Sequence, residues 1–107
     1  MQMNPCSMVV STVPSAEKAA EIARIVVDEG LAACVNIVPA VRSIYRWKGA
    51  TCDETEALCL IKTTRSRADA LRQRLVELHP YEVPEILVLD IAGGHAAYLA
   101  WVRECCG

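Results

Sequence analysis

The chain has no phenylalanine, only two histidines, and no excess of positive charge: 11 Lys and Arg stand against 13 Asp and Glu, a net −2 over 107 residues. That balance argues against a nucleic-acid binder, which carries a basic footprint. No run approaches the ~20 consecutive apolar residues that a helix needs to cross a bilayer. The segment from Met1 to Pro5 has no basic start and no long apolar stretch, so no secretory signal is expected and the chain reads as cytoplasmic. Glycine is scarce, at 5 residues, and neither a P-loop nor a G-x-G-x-x-G occurs. No nucleophile motif accompanies His79 and His95. With no triad, no complete metal site and no cofactor fingerprint, the chain reads as a non-enzyme.

Cysteine, by contrast, is plentiful: Cys6, Cys34, Cys52, Cys59, Cys105 and Cys106. None forms a C-x-x-C pair. The adjacent Cys105 and Cys106 are badly placed to bridge each other, because a disulfide holds its Cα atoms about 5.5 Å apart. In a reducing cytosol all are free thiols. Cys34 and Cys59 have apolar neighbours and read as small core residues. Cys52, in a loop, and Cys105 and Cys106, in the tail, read as exposed. A 53% apolar content is enough to bury a core without disulfides, and the length suits one domain over residues 1–107.

The apolar patterning alternates between strand and helix. Cys6 to Val13 reads as a strand, stopped by Pro14. Ser15 is a suitable N-cap, Glu17 complements the first turn, and Ala16, Ala19, Ala20, Ala23, Val26 and Val27 recur at helical spacing up to Gly30, the C′ residue. Strand character returns from Ala33 to Lys48, broken at Pro39, with Val41, Ser43, Tyr45 and Trp47 on one face. After a loop from Gly49 to Glu54, a strand runs from Thr55 to Thr64. Ser66, with Asp69 behind it, resembles a capping box for a second helix whose buried stripe is Ala68, Leu71, Leu75 and Leu78. A last strand, Glu85 to Ile91, follows Pro84. A final helix, His95 to Cys106, turns Tyr98, Leu99, Trp101 and Val102 inward. The order predicts an α+β, ferredoxin-like β-α-β-β-α-β sandwich with an extra C-terminal helix. An RNA-binding use of such a sheet fails on charge and on the missing aromatic motif.

The stretch from Ala33 to Lys48 is too long for its own globule, since strands usually run about 3–10 residues. Pro39 has no N–H and cannot sit in a central ladder. The expectation is an extended hairpin whose apolar edges are completed by further copies of the chain in a closed ring.

Chemistry-bearing residues are few. His79, in HPYEVPEI, is a metal ligand or a polar contact in a cleft, or else a histidine complementing a helix C-terminus. Tyr45 and Trp47 stack on a ligand or pack an interface. Lys62 snorkels at an edge or meets an acid, with Glu56 and Glu82 as partners.

Taken together, LAACVNIVP (31–39), S-x-Y-x-W-x-G (43–49), EALCLIKT (56–63), HPYEVPEI (79–86) and YLAWV (98–102) resemble the CutA divalent-cation-tolerance family, over roughly residues 8–104. The resemblance implies an interlocked homotrimer, similar to the PII signalling proteins, acting in tolerance to divalent metal ions with weak copper binding. It implies Cys34 and His79 as metal ligands; Ser11 and Leu78 stand where some members carry further Cys and His ligands. Thiolate and imidazole suit Cu(I) better than magnesium or calcium. Tyr45, Trp47, Lys62, His79, Tyr81 and Glu82 match the family pattern and would line a pocket between protomers. As an alternative, the PII likeness implies a regulatory or assembly module that binds a small anion or a partner protein there.

Overall fold

The computed structural model describes residues 4–107; Met1 to Met3, on which part of the signal-segment expectation falls, lie outside the described residues. The element order is β1 (Cys6–Val13), α1 (Ala16–Asp28), β2 (Cys34–Trp47), β3 (Ala50–Thr64), α2 (Arg65–Leu78), β4 (Ile86–Asp90) and α3 (Ala96–Cys106). The four-stranded sheet has the order β2-β3-β1-β4, every pair antiparallel. This is the expected α+β, ferredoxin-like arrangement with a C-terminal helix. Among the described residues no helix is long and apolar enough to cross a membrane.

Strand alternation divides the sheet into two unlike faces. Val9 and Val13 of β1, with Ala57, Cys59 and Ile61 of β3, are buried against Ala19, Ile22 and Val26 of α1 and Leu71 and Leu75 of α2. On the opposite face Met8, Val10, Leu58 and Leu60 are only half-buried, and Leu87 of β4 is 54% exposed. The third helix covers that face at one end only, where Val102 and Cys106 pack with Cys6 and Ala33. Tyr98 and Trp101 therefore point outward, against expectation: the inward stripe of this helix is Leu99, Val102 and Cys106. In α1 the buried face is centred on Ile22, and Val27 is exposed.

Local chemistry sets the element ends. Ser15 Oγ accepts the Lys18 N–H at 3.1 Å, and Gly30 takes the left-handed φ of 73° that ends α1, both as expected. The capping box does not form. β3 runs straight into α2, Thr64 is the N-cap residue, and Asp69 instead accepts bonds from Arg72 and Gln73. The expected loop from Gly49 to Glu54 is also strand. Lys48 and Gly49 alone make the turn, with φ of 50° and 81°, the both-positive geometry whose twist suits a two-residue hairpin. Cys52 thus lies in β3 and is half-buried, and Cys106 is buried rather than exposed; Cys105 is exposed as expected.

The hairpin outgrows the sheet. β1 pairs with β3 only from Ala57 to Thr64, so residues 41–56 form a ribbon with no third strand among the described residues. The register shifts between Val38 and Val41, around Pro39. Two bonds from Arg42 to Asp53, at 2.9 and 2.6 Å, brace the ribbon. Its projection gives extents of 50 × 25 × 22 Å and a radius of gyration of 14.5 Å, above the ~13 Å of a compact chain this long.

Candidate functional site

A cleft of about 660 Å³ opens between the ribbon and the segment that joins α2 to β4. The hairpin register builds one wall. Ser43 lies opposite Glu54 and Tyr45 opposite Cys52, so alternation puts Ser43, Tyr45, Trp47, Glu54 and Glu56 on one face. Tyr81, Glu82, Val83 and Glu85 form the other wall, with Thr12 of β1 at its end.

One hydrogen-bond chain holds the second wall in place. His79 caps α2 and is 8% exposed. Its Nε2–H donates to the Thr12 carbonyl at 2.8 Å, and its Nδ1 accepts the Tyr81 N–H at 3.2 Å. This pattern assigns the proton to Nε2. The Tyr81 hydroxyl in turn donates to Glu56 Oε2 at 2.7 Å, and Glu56 is 6% exposed. Burial, then the Glu56 carboxylate, pushes the Tyr81 phenol well above its usual range. Tyr45 is pushed up to about 12, chiefly through the Glu54 carboxylate beside it, then by desolvation.

The structure places Tyr45, Trp47, Tyr81 and Glu82, which the resemblance groups in a pocket between protomers, in a cleft within one chain, with His79 as the residue that positions Tyr81. It does not bring Lys62 to them. Lys62 lies opposite Cys34 in the β2–β3 ladder, and its Nζ donates to Asn36 Oδ1, so neither Glu56 nor Glu82 is its partner. Glu82 pairs instead with Lys48, at 3.8 Å. The reason is the register: Lys62 stands six residues along β3 from Glu56, on the open sheet face.

Cys34 and His79 are likewise apart. Cys34 lies level with Lys62, while Thr12, which holds His79, lies level with Leu58, about 13 Å away along the strand. Among the described residues no three of His, Cys, Asp and Glu are grouped to hold a metal ion. Nor does the cleft suit an anion. Glu54, Glu56, Glu82 and Glu85 all line it, and the lysine expected to counter them is elsewhere. Glu54 and Glu85 are not singled out by the sequence. Glu54 becomes legible once β3 is known to begin at Ala50, because it then shares the face of Tyr45 and Trp47.

A family model described as CutA1 divalent ion tolerance protein matches residues 7–105. The chain belongs to the CutA1 family. The divalent-cation tolerance protein CutA of Thermus thermophilus is 52% identical over 100 residues, covering 94% of this chain and 97% of that protein. Protein CutA of Homo sapiens is 46% identical over 93 residues, covering 87% of this chain and 52% of the human protein. The crystal structure of CutA1 from Ehrlichia chaffeensis matches the fold with a TM-score of 0.93 at 28% identity, over 99% of both chains. The solved structure of the Thermus thermophilus divalent cation tolerance protein matches with a TM-score of 0.91 at 51% identity, over 95% of this chain and 99% of that one. Divalent-cation tolerance is thus the role that the family's name carries, and the fold is one shared with solved CutA1 structures.

Proposed function

We propose that this CutA1-family chain is a non-enzymatic, cytoplasmic protein of divalent-cation tolerance that works as a homotrimer and binds copper weakly. The observation that carries the reading is the incomplete sheet. Among the described residues the ribbon of residues 41–56 has no third strand, Ile44 at its middle is 66% exposed, and β4 leaves an apolar edge at Leu87, Val88 and Leu89. Two-stranded ribbons are marginal in water, and bare apolar edges invite pairing. A closed ring of like chains removes the edges and covers the open face.

Copper would use Cys34 of one chain as the soft donor, with His79 and further donors coming from neighbouring chains, since the two residues stand apart within one chain. His79 must first release the Thr12 carbonyl, which accounts for weak binding. A second reading, a PII-like regulatory module with the cleft as its receptor site, is favoured by the volume and aromatic walls of the cleft.

Sedimentation velocity tests the assembly: a particle of about three 11.7 kDa chains is expected, and a monomer alone overturns the reading. Calorimetry with Cu(I) and Cu(II) tests the ligands. A Cys34→Ser/His79→Ala variant should bind more weakly than the wild type, and binding should weaken as pH falls, since the ligands must be deprotonated. Equal affinities in the two proteins overturn the ligand assignment.

A further inference from the structure

We draw no further inference here: the strongest candidate, the Cys34–Asn36–Lys62 side-chain cluster beside Tyr98 at the α3 end of the open sheet face, belongs to the copper donor set and to the face proposed to be covered by neighbouring chains, and nothing in the structure shows what else would occupy it.

Discussion

Replacing Tyr81 by phenylalanine removes a single oxygen from the wall of the cleft. That oxygen donates to Glu56 Oε2 at 2.7 Å, and Glu56 is almost wholly buried. The ring stays, so the packing against His79, whose centre lies 4.7 Å away, is kept. What is lost is a hydrogen bond to a charged group, worth about 1.5–3 kcal/mol. Taking about 2 kcal/mol and a urea slope of about 2 kcal/mol per molar, the unfolding midpoint should fall by about 1 M. Wild type and variant must be compared at one protomer concentration, because assembly adds to apparent stability by mass action. A double-mutant cycle with Glu56→Gln isolates the pair; its coupling energy should exceed about 1 kcal/mol. An unchanged midpoint for Tyr81→Phe, or a coupling near zero, would refute the claim that this bond holds the cleft wall.

Other consequences follow from the same geometry. Tyr45, Tyr81 and Tyr98 are all raised above 10.0, so an absorbance titration of the native protein should show no phenol ionising near pH 10, while the unfolded chain shows all of them. Because the native state holds these protons more tightly, the stability they contribute is complete below pH ~10 and falls as pH rises through the higher native values; an unfolding midpoint unchanged between pH 9 and 11 contradicts this. Burial raises the thiols of Cys59 and Cys106, so a thiol reagent at pH 8 should label exposed Cys105 quickly and leave those two unlabelled until unfolding. Gly30→Ala should cost about 1–2 kcal/mol in thermal unfolding, because a Cβ there meets nothing nearer than 4.0 Å but the φ of 73° remains strained. Leu87→Lys, on the exposed edge strand, should reduce the sedimenting mass while leaving the helical circular dichroism intact; an unchanged mass frees that edge from any part in assembly.

Much of the architecture is local and was therefore readable. Ser15 and Gly30 mark the ends of α1 by chemistry that acts within a turn, and alternation over Val41 to Trp47 specifies a strand whatever surrounds it. The motifs from LAACVNIVP to YLAWV carry the family, because their order and spacing reflect a fold that many chains share. The length of the hairpin was legible too, although its turn was not. Gly49 to Glu54 is polar and looks like a loop, yet the pairing of Asp53 with Arg42 and of Glu54 with Ser43 keeps it extended.

Three-dimensional register decided the rest. Sequence proximity to apolar residues could not say that Lys62, opposite Cys34, donates diagonally to Asn36 rather than to a carboxylate, because a side chain's partner depends on which residues the neighbouring strand presents. The orientation of α3 was equally hidden: Leu99, Val102 and Trp101 share helical spacing, and only docking against Cys6 and Ala33 chooses the stripe. Composition and motif order therefore determined the strands, the helices and the family of this protein, through forces that act along the chain. The acidic, aromatic character of its cleft came from the tertiary structure alone, since charges from separate strands and a loop add up only where folding lays them side by side.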